Sequence, residues 1–258
     1  MHHHPQSQRG MPPGPRFAGA PAVNFDAVEE QARTFLWKVY GWMSLGLGIT
    51  GVAAMVIAML SLAVGRDGFT YMTPFGELIY SPLVRWGSII VTFGMVFVIS
   101  GLQHRLSAMA AGALFLTYSA INALWLSVIF LVYTAESIGL TFLVTAGMFA
   151  ATSIYGYAAK RDLSSVGSFA FMGLIGIILA SLVNFFLQSP MLHWVITIVG
   201  VLVFVGLAAW DTQKLRQIGG MGLSKDEASR ASIQGALMLY LDFLNLFLFL
   251  LRLFGRRN

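Results

Sequence analysis

Two acidic side chains stand inside otherwise apolar stretches near the end of the chain. Asp211 occurs in Ala-Ala-Trp-Asp-Thr-Gln-Lys-Leu, and Asp242 occurs in Leu-Tyr-Leu-Asp-Phe-Leu-Asn-Leu-Phe. Inserting a charged aspartate into a membrane costs about 2.5 kcal/mol or more, so such a residue is a candidate for function. Burial and a second nearby carboxyl group both disfavour the charged form. We expect this pair to take up a proton near cytoplasmic pH and, when ionised, to offer oxygen ligands to Ca²⁺.

Each aspartate has an alternative interpretation. Asp211 lies near the end of its apolar stretch, beside Lys214 and Arg216, which is typical of a solvated helix end. Asp242 lies deeper, where a paired carboxyl group can simply stabilise packing. The two residues come to the same depth only if the last helix begins before its apolar stretch, near Glu227.

The last apolar stretch carries a polar stripe. At 100° per residue, five of its positions fall within an arc of about 80°. They are Met238, Asp242, Asn245, Phe249 and Arg252. The remaining faces are almost entirely Leu and Phe, so this helix is predicted to turn one face inward and to offer lipid the others.

Further polar residues lie within or beside apolar stretches. Asn122, Asn184 and Asn245 are candidates to line a pore. Their alternative role is an interhelical hydrogen bond that stabilises packing. His104 and His193 lie at the ends of stretches, where solvated imidazole rings are ordinary.

The composition excludes an ordinary soluble enzyme. Of the 258 residues, 57% are hydrophobic and 10% are charged, and the mean hydropathy is +0.74. Soluble domains are typically about 25% charged. The absence of cysteine excludes disulfides and thiolate metal sites. The net charge of +5 comes without a basic run interleaved with aromatics, so we expect no nucleic-acid partner.

Seven apolar stretches are each about 20 residues or longer, the length that an apolar helix needs to cross a bilayer. They are 35–64, 83–102, 106–132, 138–159, 166–187, 192–215 and 234–254. The sequence therefore predicts an all-α membrane protein, a seven-transmembrane helix bundle over residues 34–258. A Pro- and Gly-rich tail, 1–33, is predicted to be disordered, and we interpret the histidines at 2–4 as a tag or part of that tail. Residues 65–82 and 217–233 are predicted to be loops.

Small residues indicate how the helices meet. Gly46, Thr50 and Ala54 recur at intervals of four, as do Gly147 with Ala151 and Gly176 with Ala180. Such stripes allow helix backbones to approach closely in lipid.

Basic residues predict the orientation. Eleven of the sixteen Lys and Arg residues lie on the side of the N-terminus, which places that terminus in the cytoplasm. An odd number of spans then puts the C-terminus outside, although three arginines near it run against the rule.

The segments at 208–214 and 239–255, which contain the two aspartates, resemble the transmembrane Bax-inhibitor-motif family, and its bacterial branch most closely. The similarity extends over residues 30–258, including Ala-Ala-Lys-Arg-Asp-Leu at 158–163. The resemblance implies seven helices with the last helix central. It also implies a pH-sensitive calcium leak channel in which Asp211 and Asp242 sense protons and bind the ion. It further implies a latch, a basic residue at the cytoplasmic end of the second helix that binds the sixth-helix Asp when the pore is shut, and Arg105 is the matching residue. The resemblance implies no cofactor besides calcium as the bound or transported ion.

The resemblance also implies a bacterial inner membrane as the location. It further implies a second role, the binding and restraint of an ATP-dependent membrane protease. Two features depart from the family pattern: residues 83–102 contain no acidic residue, and the predicted loop at 217–233 is longer. An intramembrane aspartyl protease also uses one Asp on each of two spans. Such enzymes carry Gly-x-Gly-Asp where this chain has Leu-Tyr-Leu-Asp, so we expect a non-enzymatic protein.

Overall fold

The computed structural model describes residues 25–101 and 106–258, which are mainly helical. The elements in chain order are α1 (Phe25–Ser61), β1 (Leu62–Val64), β2 (Thr70–Met72), α2 (Pro74–Ile79), α3 (Pro82–Gly101), α4 (Ala108–Leu126), α5 (Val128–Val132), α6 (Ala135–Ala158), α7 (Ser164–Leu187), α8 (Pro190–Gly219) and α9 (Lys225–Phe254). Seven helical segments in this part of the chain are long and apolar enough to cross a membrane, with α4 and α5 counted as one. The predicted all-α, seven-span architecture is confirmed.

The last helix, α9, is the central one. Over its most apolar stretch 61% of α9 is buried, compared with 11–39% for the other spans. It packs against α1, α4, α6 and α8. The prediction that its Leu and Phe faces meet lipid is therefore wrong, because neighbouring helices bury those faces. Because the spans follow one another, α1, α7 and α9 begin on one side of the bundle, called here the near side, and end on the far side.

The predicted loop at 217–233 is wrong. Helix α8 continues to Gly219 and α9 begins at Lys225, which leaves five residues between them. A capping box starts α9: the Ser224 side chain accepts from the Glu227 backbone N–H, and the Glu227 carboxylate accepts from the Ser224 backbone N–H at 3.0 Å. Hydropathy marks only the apolar part of a helix, whereas capping allows the helix to begin among polar residues.

The predicted end of the disordered tail also needs correction. Helix α1 begins at Phe25, so residues 25–33 are helical. They are polar but packed, because Ala32 lies against Gly219 and Glu29 bonds to Arg216. The remainder of the predicted tail, with the histidines at 2–4, lies outside the described residues.

The predicted loop at 65–82 is partly ordered on the far side. Strands β1 and β2 form an antiparallel hairpin that pairs Leu62 with Met72. In its turn the Tyr71 hydroxyl and the Phe69 backbone N–H donate to Asp67, and both bonds lower the pKa of that carboxyl group. The short helix α2 follows the hairpin.

Only some of the small-residue positions make close contacts. A Cβ added at Gly46 would lie 2.5 Å from the Phe115 ring of α4, so the α1 stripe packs as predicted. A Cβ at Gly147 or Gly176 would meet nothing within 4 Å. The two glycines therefore make no close contact, although Ala180 of the second stripe packs against the core. Spacing along a helix does not say which face meets a neighbour.

Candidate functional site

Asp211 and Asp242 meet between α8 and α9. Their carboxyl groups lie next to each other, although the residues are far apart in sequence. Asp211 is 7% exposed and Asp242 is 5% exposed. Asp211 Oδ1 and Asp242 Oδ2 have no hydrogen-bond partner within the described residues. A buried polar oxygen without a partner is unusual, and it marks a place where a proton, a water or an ion can bind.

A hydrogen bond between the two carboxyl groups would require a proton. A carboxylate has no hydrogen to donate, so two carboxyl groups bond to each other only if one of them is protonated. Two ionised groups in contact, shielded from water, would repel each other. Such an arrangement therefore favours a state in which the pair shares one proton.

The surroundings of the pair contain little else that could bind a metal ion. Residues 25–101 and 106–258 contain no group of three or more His, Cys, Asp or Glu side chains. Lys214 attracts Asp211 electrostatically, but its ammonium group lies over the Trp210 ring, 5.1 Å from the centroid. A Ca²⁺ ion prefers six to eight oxygens, so beyond the two carboxylates it would need water or backbone ligands.

Both helices extend to bring the pair level. Asp211 lies eight residues before the end of α8, about 12 Å at 1.5 Å per residue. Asp242 lies seventeen residues after the start of α9, about 25 Å. The start of α9 therefore lies about 13 Å further from the pair, on the near side, than the end of α8 does. This early start of α9, near Glu227, is what allows the two aspartates to lie at the same depth.

The neighbours of Asp211 in the sequence hold α8 in place. Trp210 packs on Gly167 of α7, where an added Cβ would lie 2.2 Å from the indole ring. Thr212 shares a hydrogen bond of 3.1 Å with the Tyr40 hydroxyl of α1. Asp211 is thus oriented by contacts on both sides of it in the chain.

Gln213 joins this segment to the turn before α7. Its Oε1 accepts from the Leu163 backbone N–H at 2.8 Å, and its Nε2 donates to the Arg161 carbonyl at 2.9 Å. In the same turn the Ser164 hydroxyl and backbone N–H donate to Asp162 and lower the pKa of that carboxyl group. The two sequence blocks at 208–214 and 158–163 therefore form one structural unit.

Asn122 takes part in a buried hydrogen-bond chain, away from the aspartates. Its Nδ2 donates to the Tyr240 hydroxyl at 2.8 Å, and Thr50 donates to the Ser119 carbonyl at 2.8 Å. The Tyr240 hydroxyl therefore donates to Thr50 Oγ1, 2.7 Å away. This chain of hydrogen bonds links α4, α9 and α1. Asn122 therefore has the second of its two predicted roles, an interhelical hydrogen bond that stabilises packing. Sequence reasoning missed Tyr240 and Thr50, whose hydroxyl groups are ordinary in membrane helices.

The other candidates are not brought to the pair. Asn245 donates to the Leu241 carbonyl of its own helix, and Asn184 accepts from the Ser189 backbone N–H in the turn before α8. His193 lies on the far side, in a cavity with Asn184. Arg105, the predicted latch, and His104 lie outside the described residues.

Arg216 forms a near-side contact that sequence reasoning also missed. Its guanidinium bonds to Glu29 of α1 at 2.6 Å and to the Tyr157 carbonyl of α6 at 2.8 Å. The Tyr157 hydroxyl donates to the same glutamate. The missed signal is Glu29, which the sequence places in the predicted tail.

A cavity of about 960 Å³ lies between α1 and α6, beside the pair. Its lining is mainly apolar, with Arg33 at the near side. Thr212 and Phe243, which directly follow the two aspartates, also line it, but the aspartates themselves do not.

Comparison with known proteins identifies the family. The family model described as "Inhibitor of apoptosis-promoting Bax1" matches residues 32–258. The chain belongs to this Bax inhibitor family. Inner membrane protein YbhL of Escherichia coli K12 is 49% identical over 229 residues, which cover 88% of this chain and 93% of YbhL.

Similar proteins also occur in other bacteria. A protein of Borreliella burgdorferi is 42% identical over 230 residues, 87% of this chain and 92% of its own length. Membrane protein M6_Spy0327 of Streptococcus pyogenes is 36% identical over 220 residues, 82% of this chain and 95% of its own. The Bax inhibitor family predicted from the segments around the two aspartates is therefore confirmed.

Proposed function

We propose that this Bax inhibitor family protein is a non-enzymatic, pH-sensitive leak for Ca²⁺, gated by Asp211 and Asp242. The observation that carries the proposal is the buried contact between two carboxyl groups, each with an unpartnered oxygen. A pair of this kind binds a proton or a cation, but not both, so it couples pH to ion occupancy.

Loss of the shared proton supplies the energy for opening. Two unit charges about 4 Å apart repel by about 4 kcal/mol at an effective dielectric constant of about 20. That repulsion is relieved if α8 and α9 move apart or if Ca²⁺ enters between the carboxylates. Proton uptake restores the contact and closes the path. A latch formed by Arg105 remains a prediction.

We place the protein in a bacterial inner membrane with the near side facing the cytoplasm. The relative YbhL is named an inner membrane protein, which supports the inner membrane as the location. The excess of Lys and Arg on the near side supports the orientation.

The test is Ca²⁺ uptake into liposomes containing the full-length protein, measured between about pH 6 and pH 8. Asp242→Asn keeps the shape and a hydrogen-bond donor at the pair but removes one titrating group. We expect its flux to lose the pH dependence of the wild type. Asp226→Asn, an exposed change near the start of the same helix, is the matched control and should behave as wild type. A wild-type pH profile in Asp242→Asn would refute the mechanism.

A second candidate is a modulator that binds a membrane-embedded ATP-dependent protease. The observation in its favour is that α1 and α9 both begin with polar turns on the near side, where a partner could dock. Deleting residues 1–24 leaves α1 whole, so loss of co-purified protease with unchanged flux would support this role. Retention of the protease would show that the tail is not the contact.

A further inference from the structure

A basic cavity of about 520 Å³ lies on the far side, where α7 ends, α8 begins and α9 ends. Arg252, Arg257 and His193 line it, together with polar groups of the turn between α7 and α8. None of the described residues that line it is acidic. Neither arginine forms an ion pair within residues 25–101 and 106–258. The cavity therefore concentrates positive charge that the described part of the protein does not neutralise.

The fold holds both arginines in place. Arg252 lies in the last turn of α9, with its guanidinium over the Phe249 ring at 5.4 Å. Arg257 follows the helix in an extended segment whose backbone pairs with Tyr133. Successive side chains of an extended segment point to opposite faces, and accordingly Arg256 does not line the cavity. The pairing fixes the backbone at Arg257, and the neighbouring Arg256 is a natural control.

The position of the cavity fits a lipid. The ends of membrane-spanning helices lie at the level of the headgroups, and Trp is common there. Trp194 lines the cavity, and Phe185, Phe186 and Leu187 next to it are more than 60% exposed. These apolar side chains offer a surface for acyl chains directly beside the positive charges.

We propose that this cavity binds the phosphodiester headgroup of an anionic phospholipid. Arginine matches phosphate oxygens with two parallel N–H donors, which suits a phosphodiester. The positive charges of Arg252 and Arg257 repel the ammonium group of a zwitterionic headgroup, so a lipid of that kind is disfavoured. The exposed aromatic surface favours a lipid over free phosphate.

The experiment measures lipid binding by native mass spectrometry of the full-length protein in a non-ionic detergent. We expect phosphatidylglycerol to bind in preference to phosphatidylcholine. Arg257→Gln should weaken phosphatidylglycerol binding about tenfold, since a charge-assisted bond is lost. Arg256→Gln, with the same change of net charge, should leave binding unchanged. Because Arg257 lies beyond the last helix, its variant is expected to fold even if Arg252→Gln does not.

Further measurements distinguish a site for a lipid phosphate from a site for a soluble phosphate. Arg257→Lys keeps the charge but loses the two-pronged geometry, so it should fall between wild type and Arg257→Gln. Inorganic phosphate or glycerol phosphate at the same concentration should not displace the lipid. Displacement by either would show a site for soluble anions and overturn the lipid proposal. Equal binding of the two lipids, or equal effects of Arg256→Gln and Arg257→Gln, would also overturn it.

Discussion

Replacing Tyr240 by Phe tests the hydrogen-bond chain that orients the central helix. The Tyr240 hydroxyl is fully buried, accepts from Asn122 and donates to Thr50. Interhelical hydrogen bonds in membranes contribute about 0.6 kcal/mol each on average. A buried amide left without a partner costs about 1–3 kcal/mol. We therefore expect Tyr240→Phe to destabilise the protein by about 1–3 kcal/mol, or about 2–12 °C in Tm for a chain of this size.

The assay is thermal unfolding in detergent, with Tyr118→Phe as the matched control. The Tyr118 ring packs edge-to-face on Tyr240 at 5.6 Å, but its hydroxyl has no hydrogen-bond partner among the described residues. Its loss should cost less than about 0.5 kcal/mol. Equal destabilisation by the two substitutions would refute the reasoning, because ring packing rather than the hydrogen-bond chain would then explain the loss.

The same substitution has a consequence for the site. Tyr240 and Asp242 are two residues apart, so their side chains lie about 160° apart around α9. The bonds of Tyr240 on one face therefore help to set the direction of Asp242 on the other. We expect Tyr240→Phe to broaden the pH dependence of Ca²⁺ flux, whereas Tyr118→Phe should not.

Two further predictions concern the contacts around Asp211. Gly167→Ala should destabilise the protein by about 1–3 kcal/mol in thermal unfolding, because the new Cβ would overlap the Trp210 ring. The control, Gly147→Ala, should be neutral, because its new Cβ would meet no described atom within 4 Å. Equal losses of stability in the two variants would contradict this packing. Gln213→Leu should loosen the turn at 159–163 and speed its cleavage by trypsin at the basic residues there, since three backbone groups lose their hydrogen-bond partner. An unchanged cleavage rate would show that the turn is held by other contacts.

Much of the fold could be predicted from the sequence because a bilayer imposes length and hydropathy on every span. The seven stretches agree with the helices to within a few residues in their apolar parts. Both substantial errors lie outside those parts, at 25–33 and 217–233. There the helices continue through polar residues, supported by capping at Ser224 and by the contact of Glu29 with Arg216. Hydropathy contains no information on such support.

The glycines show a second kind of limit. Gly147 and Gly156 lie on the same helix, yet only Gly156 makes a close contact, with an added Cβ 2.2 Å from the Ala209 carbonyl oxygen. The stripe predicted at Gly147 faces open space. Helical periodicity places residues on a common face, but the neighbouring helix determines which face is used.

At the site, the sequence was enough to predict two carboxyl groups in apolar surroundings, since the cost of a membrane carboxylate makes Asp211 and Asp242 conspicuous. The packed helices were needed to show that the two groups lie next to each other, that Asn122 bonds to Tyr240, and that two arginines share a far-side cavity. The physical reason is that these relations depend on the rotation and relative height of packed helices. Those quantities are set by side-chain contacts between segments far apart in the chain, which no local pattern of residues records.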